Sequence, residues 1–262
     1  MEIIACVKRV PLTQEVDLEI APDGRSIKRD DLVYIMNDWD SYAIEEAIQL
    51  KEGQGGTVTA ITIGDEDDED ILRRCLAMGA DRAIRISGTE NLEMDGFVLA
   101  NMLSAVVKDM EFNLILTGVQ AEDDNMGMVG VMMAQRLGLG CSVLVTDLET
   151  GENGHVTIKG ELEGGIDQVL DIQLPALLTI QTGINEPRYV SIMGIRKARK
   201  KELRVMDYRE LSLSEADTTP MTRVEELSLP PETEGAEILK GTPEEMAEQF
   251  VGILREKGGV FV

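Results

Sequence analysis

Short strand-like runs alternate with helical stretches through the first half of this chain, and that alternation limits its fold more than any other feature. Residues 3–7, 57–63, 83–86 and 114–116 are short runs rich in isoleucine, leucine, valine and alanine. A near-continuous apolar run, rather than an apolar–polar alternation, is what a strand covered on both faces of a parallel sheet requires. Helical spacing fills the gaps. Asp38 or Asp40 can cap a helix to about Lys51 with Ala43, Ile44, Ala47 and Ile48 on one face, ended by Gly53, Gly55 and Gly56. The acidic residues 65–70 can charge the start of a helix whose stripe is Ile71, Leu72, Cys75, Leu76 and Met78. Residues 95–110 and 127–137 read as two more helices. This order predicts an α/β fold: an open, mainly parallel sheet with helices on both faces.

After Gly140 the pattern changes to strands in succession, over 142–148, 156–161, 167–172 and 176–181, which predicts a small additional β region. Residues 16–20 and 26–33 predict the arms of a hairpin around Asp23-Gly24, a good turn dipeptide. Residues 202–237 are polar, proline-containing and weakly periodic, so they can bury little surface unaided. Thr242-Pro243-Glu244-Glu245 is a capping box with proline at the first helical position, and predicts a final helix to about Lys257. The expected division is therefore an α/β domain over 1–190 and an extended C-terminal arm over 191–262 that needs a partner to pack on.

The formal net charge of -24 argues against nucleic acid, which demands a basic footprint, and against anionic membrane surfaces. No run of about 18 apolar residues exists, so no membrane insertion is expected, and the N-terminus lacks the layout of a signal peptide. Cys6, Cys75 and Cys141 are far apart and read as reduced, buried residues of a cytoplasmic protein. One histidine, His155 in a turn, and no cysteine pair make a metal site unexpected. No nucleophile–base pair or paired carboxylates stand out, so no catalytic residue is assigned.

In an open α/β sheet, ligands bind outside the carboxyl ends of the strands, where strand order reverses. The residues there are 6–9, 63–64 and the segment 117–130, in which Gly127 and Gly130 stand at a helix start. Backbone N–H groups at such a start can hold a phosphate without side-chain charge. The segment is neither a Gly-x-Gly-x-x-Gly nor a Walker motif, and a capped helix with no ligand is the competing reading of the spacing alone.

The second half carries Glu161-Leu162-Glu163-Gly164-Gly165, then Leu174-Pro175, then Asn185-Glu186-Pro187-Arg188-Tyr189, then Lys197-Ala198-Arg199-Lys200-Lys201. With Val7-Lys8-Arg9, Met36-Asn37, Ala43-Ile44-Glu45-Glu46-Ala47, Leu50-Lys51-Glu52, Ala77-Met78-Gly79-Ala80-Asp81-Arg82, Gln120-Ala121 and Asp123-Asp124, this ordered set resembles the β subunit of electron-transfer flavoproteins over nearly the whole chain. The resemblance implies a Rossmann-like, adenine-nucleotide-binding sheet and an electron carrier rather than an enzyme, forming a heterodimer with an α subunit on which the arm packs. It implies FAD shared with that α subunit, and AMP or, as in electron-bifurcating members, a second FAD within this chain. Contacts to that nucleotide are implied for Cys6, Asn37, Ile63, Asp124, Gly127, Met128 and Val129. Gly130 joins them from the helix start, and Glu161 is implied near the shared flavin. The loop over 126–131 has no side-chain hydroxyl or amide, so AMP and FAD both stay open. The implied partners are flavin dehydrogenases such as acyl-CoA dehydrogenases as donors and a quinone oxidoreductase or other acceptor. A stand-alone adenine-nucleotide-binding regulator is the alternative.

Ile192 and Met193 place two bulky apolar side chains beside a basic block with Lys197, Lys200 and Lys201. An apolar anchor sets residence time and a basic rim speeds encounter with an acidic partner, so this segment is the expected dehydrogenase docking surface.

Overall fold

A computed structural model describes residues 1–13, 16, 18–29, 32–151, 154–231 and 235–257. The predicted alternation is present. The first strand, β1 (Glu2–Cys6), leads through the short strands β2 (Arg9–Pro11) and β3 (Tyr34–Met36) to helix α1 (Asp38–Gln54). Then come β4 (Thr57–Ile63), α2 (Glu69–Met78), β5 (Arg82–Ser87), α3 (Gly96–Val107), β6 (Leu114–Gly118) and α4 (Val129–Leu137). The strands in succession are β7 (Gly140–Thr150), β8 (His155–Leu162), β9 (Ile166–Gln173) and β10 (Ala176–Ile180). Helix α5 (Ile192–Ala198), strand β11 (Glu202–Asp207), the single turn α6 (Glu215–Thr218) and helix α7 (Pro243–Glu256) complete the order.

One nine-stranded sheet runs β11-β5-β4-β1-β6-β10-β7-β8-β9. Every pairing from β11 through β7 is parallel; β8 and β9 extend the sheet antiparallel. Strand β1 shows how the pattern builds a two-sided core. Ile3 and Ala5 face α1 and α2, while Ile4 and Cys6 face α3 and α4. Strand order turns at β1: α1 leads from it to β4 on one side, and β6 lies on the other.

The structure departs from the sequence reading in several places. Of the hairpin expected over 16–33, one antiparallel bridge forms among the described residues, Ile20 with Ile27, around a turn in which the Asp23 carboxylate accepts from the Arg25 and Ser26 N–H groups. Positions 17, 30 and 31 of that hairpin lie outside the described residues. The N-cap of α1 is Asn37, not Asp38 or Asp40. Cys6 and Cys75 are buried as expected, but Cys141 is exposed, because β8 begins to pair with β7 only at Val145 and leaves the start of β7 at an open edge. His155 opens β8 and is half-buried.

Two compact units divide the chain, Met1–Glu225 and Glu226–Val262. The first continues past the break expected near residue 190. Strand β11 pairs with β5 from Glu202 opposite Arg82 to Asp207 opposite Ser87. Leu203 packs on one face's core and Met206, Tyr208, Leu211 and Leu213 on the other. An edge strand covers little of its surface, so charged residues such as Glu202 and Arg204 remain exposed and hide its strand character. In the second unit, α7 has the expected capping box, with Thr242 Oγ1 accepting from Glu245 N at 3.3 Å and Glu245 Oε2 accepting from Thr242 N at 2.8 Å.

Candidate functional site

The carboxyl ends of β1, β6 and β10 meet the start of α1, and side chains lace them together. Asn37 is 1 % exposed. Its Nδ2 donates to Gln120 O at 2.8 Å and its Oδ1 accepts from Glu122 N at 3.1 Å, so one amide holds two points of the β6–α4 loop. One turn later, Asp40 bridges two strand ends: Oδ2 accepts from Lys8 N at 2.7 Å and Oδ1 from Gly118 N at 3.0 Å. Burial pushes the Asp40 carboxyl up to about 7, against those hydrogen bonds, which favour the charged form. Lys8 reaches across the loop, with Nζ 2.6 Å from Asp123 Oδ1 and 2.9 Å from Asp124 Oδ2. Burial would lower the Lys8 pKa, but the hydrogen bonds and charges of the two carboxylates outweigh it and raise it.

Beyond Asp124 the backbone turns back on itself. Asn125 and Gly127 have φ of 50° and 60°, and Asp124 Oδ1 accepts from Met126 N at 3.0 Å. This delivers the chain to α4, whose N-cap Met128 offers no side-chain acceptor to the first-turn N–H groups. Gly130 lets that helix lie close to the sheet: a Cβ there would stand 2.7 Å from Thr117 Oγ1 and 2.8 Å from Thr179 Cγ2. An uncapped helix start at the carboxyl edge of a parallel sheet fits a phosphate.

The sequence-derived residues fall into place unevenly. Asp124, Gly127, Met128, Val129 and Gly130 all belong to this laced loop or the helix it opens, and Asn37 laces it from the start of α1. Met128 lies over the start of α3, where a Cβ on Gly96 would be 2.5 Å from its Cγ and Sδ. Cys6 is buried in the core, and burial, with the nearby Asp40 charge, pushes its thiol up to about 12. Ile63 ends β4 and packs on the α3–α4 side of the core. Glu161, exposed at the end of β8, joins the site indirectly. Gln181 Nε2 donates to Glu161 Oε2 at 3.2 Å, while Gln181 Oε1 accepts from Trp39 Nε1 and Thr182 N, each at 2.9 Å.

Trp39, Asp40 and Gln181 are not among the site residues named from sequence, and Lys8 enters there only as part of the strand end at 6–9. A signal existed for Asp40: it stands three and four residues before Ala43 and Ile44, on the buried stripe of α1, where a lone carboxylate needs a reason to be.

A cleft of about 600 Å³ opens at the ends of β4, β5 and β11. Its carboxylates, Asp65, Glu66, Asp67, Glu90 and Asp207, outnumber Arg85 and Arg209, so it opposes a phosphate. Among the described residues, no cluster of three or more histidine, cysteine or acidic side chains is arranged to hold a metal ion, and no helix is long and apolar enough to cross a membrane.

The Asn185–Tyr189 corner is a clamp onto α1. Asn185 Nδ2 donates to Glu46 Oε2 at 2.9 Å and Tyr42 O at 3.1 Å. Arg188 forks onto Glu45, with Nε to Oε2 at 2.8 Å and Nη2 to Oε1 at 2.9 Å, and reaches Glu52 with Nη1 at 2.7 Å. Just past it, α5 presents Ile192 and Met193 at 75 % and 68 % exposure, with Lys197 and Lys200 also exposed. Lys201 differs, because its ammonium is turned inward to carbonyls at the end of α2.

The family model for the electron transfer flavoprotein domain matches residues 25–211. The electron transfer flavoprotein subunit beta of Bacillus subtilis (strain 168) is 40% identical over 262 residues, covering 99% of this chain and 100% of that one. The subunit of the same name from Methylophilus methylotrophus is 35% identical, with 99% and 100% covered. The caffeyl-CoA reductase-Etf complex subunit CarD of Acetobacterium woodii is 34% identical, with 98% and 99% covered.

Proposed function

Because the chain belongs to the electron transfer flavoprotein β-subunit family, whose members are electron carriers rather than enzymes, we propose that it is the nucleotide-carrying half of a heterodimer. It binds AMP or a second FAD at the β6–α4 loop and helps an α subunit hold the FAD that moves electrons. The observation that carries this reading is the uncapped start of α4 at the carboxyl edge, with its loop fixed by Asn37, Asp40 and Lys8.

Each residue has a distinct part. First-turn N–H groups of α4 bind phosphate, while Lys8, its charge met by Asp123 and Asp124, ties the loop in place. Asn37 and Asp40 hold the loop open in shape before a ligand arrives, which lowers the cost of binding. FAD, when bound, accepts and passes on electrons. Glu161, oriented by Gln181, places a carboxylate at the edge of the shared site, where it disfavours extra negative charge or holds a partner arginine. The C-terminal arm packs on the α subunit. Electrons arrive from flavin dehydrogenases such as acyl-CoA dehydrogenases, docked at α5, and leave to a quinone oxidoreductase or, in a bifurcating complex, another acceptor. The protein works in the cytoplasm.

Mass spectrometry of the ligands released from the purified heterodimer tests the nucleotide site. One AMP, or one FAD beyond the shared one, per heterodimer is expected. Recovery of neither, nor of ADP, would remove it.

A further inference from the structure

We propose that Arg73 and Lys201 are positioning residues that lock α5 onto the end of α2 and so preset the docking surface; the inference rests on the docking role given to α5 above. Helix α5 has 7 residues, far too few to hold itself together in water. Its order must come from its contacts, and they are reciprocal. Arg73, on α2, donates from Nη1 to Ala198 O and to Lys201 O, each at 3.3 Å. Lys201, just past α5, donates from Nζ to Leu76 O at 3.0 Å and Ala80 O at 2.5 Å. Each cation thus adds a donor to carbonyls at the carboxyl end of the other's helix, where positive charge is favoured.

Packing closes the joint. Ala198 is buried, and Gly194 sits so near α2 that a Cβ would stand 2.9 Å from Ala77 O. Ser191 caps the start, its Oγ accepting from Gly194 N at 3.0 Å. Arg188 anchors the chain three residues before that. Ile192, Met193 and Ile195 stay exposed on a helix held at both ends. An anchor already in place does not have to be ordered when the partner arrives. Lys201 is therefore different in kind from Lys197 and Lys200: burial lowers its pKa, and it is not available to meet an acidic partner.

The test uses the heterodimer with its FAD, reduced by an acyl-CoA dehydrogenase holding its acyl-CoA. Lys201→Met should speed amide exchange over 195–199 by about ten-fold or more, as expected when local structure loses its ties. It should raise the KM for the heterodimer about five-fold through the lost preorganisation, with kcat and the salt dependence kept. Arg73→Met should act alike, and Lys201→Arg, which keeps the donors, should restore both readouts. Lys200→Met should leave exchange unchanged and flatten the salt dependence instead. Unchanged exchange in Lys201→Met, or a flattened salt dependence like that of Lys200→Met, would overturn the proposal. Ile192→Ala separates the two readings. If it is silent while Lys201→Met loosens α5, the docking role falls and the lock remains.

Discussion

Replacing Arg188 by methionine is expected to destabilise the Met1–Glu225 unit by about 3 kcal/mol at neutral pH, the usual consequence of leaving a buried carboxylate without its partner. The carboxylate concerned is Glu45, whose side chain is 3% exposed and which takes the Arg188 Nε and Nη2 donors. Glu52, more than half exposed, contributes little. Methionine keeps most of the apolar stem and removes only the fork. Burial alone would raise the Glu45 pKa, but Arg188 and Gln49 more than offset it and hold the carboxyl below the usual glutamate range. The sign follows from that direction. A carboxyl held low in the folded state contributes stability above its unfolded pKa, and that stability is lost as pH falls through the lower folded value. The gap between native chain and variant should therefore be wide at pH 7 and narrow in acid. Denaturant unfolding followed by Trp39, the one tryptophan, reads this directly. A gap absent at pH 7 would show that the clamp carries no stability, and a gap equal at both pH values that its stability does not come from the Glu45 charge.

Changing Ile192 to alanine is expected to slow electron transfer from an acyl-CoA dehydrogenase by about ten-fold or more, as losing 1 to 2 kcal/mol at a binding hot spot would. Ile192 is 75 % exposed on the first turn of α5, with no packing role to lose. Flavin content and chemical reduction of the flavin should stay as they were. Lys197 and Lys200 flank the anchor against a net charge of -24, so their removal should lower the on-rate and its salt dependence rather than the residence time. A normal rate from every dehydrogenase tested with Ile192→Ala would move the docking surface elsewhere.

Much of this architecture is legible in the sequence because burial on both faces leaves a strong mark. Strands β1, β4 and β6, with the helices between them, are near-continuous apolar runs joined by amphipathic stretches. The order of strands leaves no such mark. β10 is fully buried, yet nothing local says that it returns to lie between β6 and β7. β11 was hidden for the opposite reason, since a half-exposed edge strand can carry charges and still pair. The candidate site divides the same way. The strand-end rule finds the loop around Gly127 and Gly130 without any side-chain motif. Lys8, Asp40 and Gln181 act through tertiary contacts between residues 20 to 116 positions apart, which spacing does not report. Within the basic block, sequence treats Lys200 and Lys201 alike; only the fold of α5 on α2 separates them.

On the proposed function, this chain completes a flavin site only together with a second subunit. Flavin and subunit content, measured on the chain expressed alone and on the chain co-expressed with an FAD-binding α subunit, test it most directly. A colourless chain is expected when alone, and a yellow one-to-one heterodimer with FAD when the partner is present. A well-folded monomer holding stoichiometric FAD by itself would contradict it.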